Sequence, residues 1–309
     1  MALTKAKFGV ISSALASGNA TDGYVLTADG SGNSAWEEVA GGPTHKTFGT
    51  SSIMIGDNAT GTIDAANNNT GVGVDIFAAL TSGDDNTVFG KGAGAALTTG
   101  QRNVFVGIES GTTMTTGQEN CYVGRLAGKL ATSGYSTGVG TEALYNNTGN
   151  HNTAVGIQAL MSNTSGTYNV ALGSYALANT TTAQENTAIG YEALNDNTTG
   201  NKNTAVGFRA LDLNTTASEN TAVGGDALGN TTTGGNNVAV GRLALSQNTT
   251  GVSHTAVGHQ ALDACTTGNN NTAFGKDALG TLTTGGHNVA CGLNALAAQT
   301  TSNNCTAMG

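Results

Sequence analysis

One spacing constrains this chain more than anything else in it. A glycine closes each pentapeptide of the type Asn-Thr-Ala-Val-Gly, at Gly56, Gly73, Gly90, Gly107, Gly124, Gly140 and Gly156, and then every 17 residues from Gly173 to Gly309. Thirteen of the fifteen intervals are 17 residues, and the two that end at Gly140 and Gly156 are 16. So strict a period belongs to a repeat architecture, in which each unit is one small supersecondary element stacked on the next.

Counted from Asn152, one unit reads Asn-Thr-Ala-Val-Gly-Ile-Gln-Ala-Leu-Met-Ser-Asn-Thr-Ser-Gly-Thr-Tyr. The second place is Thr or Val, the third is usually Ala and the fourth is a larger apolar residue, as in Thr153, Ala154 and Val155. This alternation predicts a short strand with the second and fourth places on one face and the third on the other. The Ala-Leu at the eighth and ninth places predicts a second strand. The following Asn-Thr-Thr-Gly predicts a bend with positive φ at Gly or Asn. The sixth, seventh, tenth, eleventh and last two places vary most, which reads as loop or solvent.

At ~3.3 Å per residue a unit traces a path of ~56 Å, enough for one thin coil, and sixteen coils at ~4.8 Å make a rod of ~75 Å. Gly in every unit and enrichment in β-branched residues disfavour helical repeats. The predicted fold class is all-β, a parallel β-solenoid of the β-roll kind with 17 residues per coil. Identical residues then lie above one another, so Asn, Thr and Gly form ladders along the rod.

Residues 1–50 precede the repeats and are expected to be a docking or attachment region, and 51–309 a shaft of sixteen coils. Lys5 and Lys7 before Phe8-Gly9-Val10-Ile11 resemble the start of a leader, but Gly9, Ser12 and Ser13 break the apolar run, so docking is preferred. Early units have bulky third places (Met54, Val88, Phe105, Tyr122) and apolar twelfth places (Ile63, Leu80, Leu97, Met114). Later units have Ala and often Asn or Thr there, so the cross-section is expected to change near 124–156, where both shorter units lie.

Composition narrows the function. With 7 Phe, 7 Tyr and 1 Trp in 309 residues, and 47 Gly, there is too little bulk for two thick globular cores. A net charge of −9 without basic runs argues against nucleic acid as a partner. Apolar runs fall far short of the ~20 residues needed to cross a bilayer, so membrane insertion is not expected.

The expected coil core is Val155, Leu160, Leu172, Leu177, Ile189, Leu194, Val206 and Leu211. Burying two such side chains per coil, at ~1.5–3 kcal/mol each, weakly opposes the ordering of 17 backbones at about 1 kcal/mol apiece or more. A homo-oligomer is therefore expected, with Ala154, Ala171, Ala188, Ala205, Ala222 and Ala239 facing neighbouring chains.

No catalytic residue, cofactor or metal site is expected. Cys121, Cys265, Cys291 and Cys305 occupy four different places of the unit, so they read as single substitutions within ladders. The five His residues form no pair of metal-ligand spacing on one face. Asp84-Asp85 and Glu37-Glu38 read as solvated bends rather than the facing carboxylates of a glycan-cleaving site. Thr runs such as Thr180-Thr181-Thr182 invite an ice-binding reading, but they drift around a bend, and turn filling is preferred.

The blocks such as Asn186-Thr-Ala-Ile-Gly-Tyr-Glu-Ala-Leu-Asn-Asp-Asn-Thr-Thr-Gly200 resemble the repeats of phage tail-fibre proteins and, more distantly, the head repeats of trimeric autotransporter adhesins. Thr21-Asp-Gly-Tyr-Val-Leu-Thr-Ala-Asp-Gly-Ser-Gly-Asn-Ser-Ala-Trp36 looks like a segment that recurs near the start of tail-fibre proteins. The resemblance covers roughly 52–309. It implies a homotrimeric fibre in the virion, outside the cell. Its N-terminus would dock on a tail or baseplate protein and its far end would reach a receptor on the host surface. The alternative it leaves is a trimeric adhesin on a bacterial surface. Many such fibres carry a distal self-cleaving chaperone domain, so a distal segment or another chain is expected to continue the rod beyond Gly309.

Overall fold

The computed structural model describes residues 66–309 and, before them, four strands: β1 (Tyr24–Ala28), β2 (Ser34–Glu38), β3 (Thr44–Phe48) and β4 (Ser52–Gly56). The rest of 1–50, including Phe8 to Ile11, and also Ile63, lie outside the described residues. β1 pairs antiparallel with β2, and β3 antiparallel with β4. From β4 a parallel ladder runs through three-residue strands, one per coil, from β5 (Thr70–Val72) to β19 (Thr306–Met308). The sixteen parallel strands stack as a β-solenoid of about fourteen turns with about 17 residues per coil. The register is that of the repeat: in β10 (Thr153–Val155) and β11 (Val170–Leu172), Thr153 lies beside Val170, Ala154 beside Ala171 and Val155 beside Leu172.

Each coil has one strand, not the two predicted. The Ala-Leu segment is a run of turns in which successive N–H groups point alternately within the coil and out of it. Ala159 N–H donates to Gly156 O at 3.4 Å, whereas Leu160 N–H donates to Ala176 O of the next coil at 3.0 Å. That alternation requires alternating backbone hand, so Gln158 (φ 55°) and Leu160 (φ 50°) are left-handed, as is His151 (φ 58°) before the next strand. Positive φ thus falls at the seventh, ninth and last places rather than in Asn-Thr-Thr-Gly. The fifth-place glycine is needed twice over. Its φ lies between 130° and 148° from Gly73 to Gly292, and a Cβ on Gly156 would stand 2.4 Å from Gly173 O of the next coil.

The core corrects the sequence reading of which strand face is inside. Ala154, Ala171, Ala188, Ala205, Ala222 and Ala239 are wholly buried inside their own coil and do not face a neighbouring chain. Val155 and Val206 are half-buried, and Leu172 and Ile189 are exposed, so these four lie outside the core. Leu160, Leu177, Leu194 and Leu211 are buried as expected. The alternation itself was read correctly. The third place is small because the ninth-place Leu fills the same space.

Coils that invert the sizes demonstrate this competition. Phe105 pairs with Gly111, where a Cβ would come within 2.8 Å of the Phe ring, and Tyr122 pairs with Gly128, where it would come within 2.4 Å. Gly71 leaves room for Ile76 and Phe77 in the same way. The sum of the two side chains is conserved while their order changes, as close packing demands.

A buried Asn column closes the coils. Asn86 donates through Nδ2 to Asn69 Oδ1 of the preceding coil at 3.0 Å and to Gly100 O of its own coil at 3.0 Å, and its N–H meets the same Oδ1 at 2.9 Å. Near 124–156 the ladder continues unbroken through β8 (Cys121–Val123), β9 (Thr137–Val139) and β10. The residue missing from each short coil comes out of the bend between Thr132 and Tyr135 and between Thr148 and His151. The interior changes over the same stretch, from Met114 and Ala131 to the buried amides Asn147 and Asn163 at the twelfth place.

Candidate functional site: an apolar strand face and a recessed groove

The coil exposes three surfaces with different chemistry. The strand face carries the second and fourth places, and no charged residue occupies either of them in any described coil. The fourth place is apolar throughout and much of it is open, with Phe89 at 56% exposure, Leu172 at 46% and Phe274 at 58%. This face arises directly from the strand alternation: because Ala points in, Val, Leu, Ile and Phe point out. Its sixth-place border is mixed, with Ile108, Ile157 and Phe208 but also Lys91, Arg125 and Lys276.

The bend face is polar. Its thirteenth place is Thr in every described coil, a more regular column than the sequence reading allowed. The hydroxyls are largely engaged along the rod: Thr98 Oγ1 donates to Thr115 O at 3.0 Å and Thr198 Oγ1 to Thr215 O at 2.9 Å. A hydroxyl committed to a neighbouring carbonyl is a poor template for ordered water, which favours the structural role. At the edge of this face the rings of Tyr135, His151 and Tyr168 stack at 5.1 Å intervals.

The third surface is a groove between the seventh place and the tenth and eleventh places. It opens into a shallow cleft beside Arg209, Asp212, Asp226, Gly229, Leu243 and Ser246. Asp212 is 5% exposed and accepts from both Nε and Nη2 of Arg209 at 2.9 Å. Burial pushes the Asp212 carboxyl above its ordinary range, and Arg209 opposes that shift. A second shallow cleft is lined by Gln260, Asp263, Asp277, Gly280, Thr281 and Ala297. Here Asp263 accepts from Ser246 Oγ at 2.5 Å and from Gln260 Nε2 at 3.5 Å, while Asp277 pairs with Lys276 at 3.2 Å.

No family model, curated protein or solved structure matches the chain. The groove residues were missed by sequence reasoning because they stand at the variable places. The signal that could have found them is an Asp-Asp-Gly pattern at those places that returns three coils later.

The remaining reactive side chains sit inside the ladders. Cys265 is buried, which pushes its thiol up to about 11, and Cys121, Cys291 and Cys305 are also free thiols. His254 replaces Asn in the buried column: its Nε2 lies 2.7 Å from Gly268 O and its Nδ1 accepts from Asn271 N–H at 3.2 Å. Nε2 therefore carries the proton, and the ring is held neutral. Among the described residues no group of three or more His, Cys, Asp or Glu is placed to hold a metal ion, and no helix is long and apolar enough to cross a membrane.

Proposed function

We propose that this chain is the shaft of an extracellular fibre that assembles as a homo-oligomer through its strand face. The supporting observation is the uncharged, apolar fourth-place column, repeated in every described coil. Isolated soluble proteins rarely leave a continuous apolar patch larger than a few hundred Å² open to water. Sixteen strands of three residues at ~4.8 Å spacing make a strip on the order of 700 Å². A standard interface buries about 800 Å² per partner. A second copy is the natural cover, because its column repeats with the same spacing and meets the first in register along the whole rod.

The tail-fibre resemblance supplies the number three and the setting: N-terminal docking on a virion tail or baseplate, and reach toward a receptor on the host surface. A uniform rod serves as spacer and scaffold, and the reading assigns it no catalysis.

Light scattering of the purified chain tests the assembly. The wild type should be trimeric, and Val206→Asp with Val223→Asp and Val240→Asp should give monomers that keep the circular dichroism of the wild type. A monomeric wild type refutes the assembly. Labelling this chain on intact particles tests the setting: decorated tails support the virion, whereas decorated bacterial surfaces favour an adhesin.

A further inference from the structure

Equal coil spacing lets two strand faces meet in either direction and at any whole-coil stagger, so the apolar column alone does not fix how a second copy lies. The charges at the two edges of the face do. The chain enters each strand past the last place of the preceding coil and leaves it past the sixth place. At β6 (Thr87–Phe89) these edge residues are Asp85 and Lys91, and at β8 they are Glu119 and Arg125, all four exposed.

Rotation about an axis parallel to the rod, whatever the number of copies, turns the entering edge of one copy toward the leaving edge of the next at the same level. Asp85 then faces the partner's Lys91, and Glu119 faces the partner's Arg125. The remaining edge cations meet uncharged residues: Arg102 lies level with Ile108, Lys202 with Phe208, Arg242 with Asn236 and Lys276 with Asn270. No like charges meet at any described level.

The neighbouring alternatives bring cations together. Sliding the second copy by one coil sets Arg102 against Arg125 in one direction and against Lys91 in the other. Turning it end over end, with the sixteen parallel strands fully overlapped, brings leaving edge to leaving edge. Lys91 then meets Lys276, and Arg125 meets Arg242. An exposed ion pair adds little affinity, but like charges held together penalise a wrong register, and that difference sets the arrangement.

We propose that the second copy on the strand face lies parallel and without stagger, selected by Asp85 and Glu119 on one edge and Lys91 and Arg125 on the other. The proposal rests on the oligomer proposed above but not on its number. Zero stagger is also what lets the assembly close, since rotation combined with a shift along the rod continues into an open filament. Asp85 and Lys91 make the cleaner of the two contacts. Lys91 has no ion pair in its own chain among the described residues, and Asp85 accepts from Asn68 Nδ2 at 3.0 Å. Glu119 and Arg125 are partly engaged along their own rod, with Arg102 at 2.6 Å and Glu142 at 3.6 Å.

The test is sedimentation of the full chain over a concentration series, in dilute buffer and at about 1 M salt. Asp85→Lys and Lys91→Asp each set like charges across the contact, and each should raise the dissociation concentration about tenfold or more in dilute buffer. The double swap restores opposite charges between copies and should return association to within about threefold of wild type. These differences should shrink at high salt, where exposed charges are screened. Circular dichroism confirms that the variants fold. A monomeric wild type refutes the oligomer and this proposal with it. An oligomeric wild type whose single swaps associate unchanged, or whose double swap is no tighter than the singles, overturns the proposal alone. So does tighter association of Lys91→Asp, which is the outcome expected of end-over-end packing against Lys276.

Discussion

At the scale of single residues the rod is built from backbone conformations that most side chains resist. The last place of each coil is left-handed and solvent-facing, as at Glu185 (φ 58°), whose N–H must still reach Thr167 O at 3.1 Å. A left-handed residue other than Gly costs about 1–2 kcal/mol, part of which glycine returns through the unfolded chain. Glu185→Gly should therefore raise stability by about 0.5–1 kcal/mol and Glu185→Val should lower it by about 1–2 kcal/mol, measured by thermal melting. His254 gives a pH dependence. Burial holds its pKa below the ordinary 6.5, against the bond from Nε2 to Gly268 O, and only the neutral ring can accept from Asn271 N–H. The unfolded chain therefore takes up the proton first. The contribution of this site is intact above about pH 6.5 and is lost as pH falls from there toward the depressed folded value. His254→Asn, which restores the usual rung, should flatten the fall in melting temperature between neutral and acid pH. An unchanged slope would mean that other groups cause it.

At the scale of the coil, the strand was legible in the sequence and the rest of the turn was not. Alternation at Thr153-Ala154-Val155 shows that two faces exist, but the inward one depends on what lies across the coil, and that is a tertiary fact. Leu160 was legible as core because the ninth place is Leu in every coil from Leu144 to Leu296, and so regular a large residue has few alternatives. Its left-handed φ of 50° was not, since Leu carries no turn signal. The groove was hidden for the opposite reason: residues such as Asp212 and Gly229 vary between coils, and variation reads as solvent. The exchange between third and ninth places offers a direct check of the packing argument. Ala205→Phe alone should overpack the coil by about 1–3 kcal/mol, and Leu211→Gly alone should cost at least 2 kcal/mol through the cavity it leaves. Together they recreate the Phe105–Gly111 arrangement, and the double variant should recover at least ~1 kcal/mol of the summed loss. Additive losses in denaturant titrations would show that the two places do not share one space.

At the scale of the whole molecule, the bonds among the described residues that hold the rod reach only to the adjacent coil. Asn169 takes Asn152 Oδ1, 17 residues back, and Ala183 O, 14 residues on. Leu177 N–H takes Ala193 O, and Gly190 N–H takes Leu172 O, the corresponding steps up and down the ladder. No rung needs a distant part of the chain, so stability is a sum of coil terms and nearest-neighbour terms, and length is free to vary in whole units. Removing one complete coil, residues 170–186, joins Asn169 to Thr187, the residue that takes Val170's place against Thr153. Asn169 keeps its place beneath the shortened ladder, and both clefts and the strand face keep their register. This deletion should leave a folded rod shorter by ~4.8 Å per chain in small-angle scattering, with the oligomer number unchanged and a melting temperature lower by only a few degrees. Removing 170–177, half a coil, places Ala178 where a strand residue belongs and shifts every later side chain out of its column. That variant should lose the cooperative transition at the break. Two deletions with equal effects would mean that the rod is held by contacts beyond its nearest coils, and the one-dimensional account would be wrong.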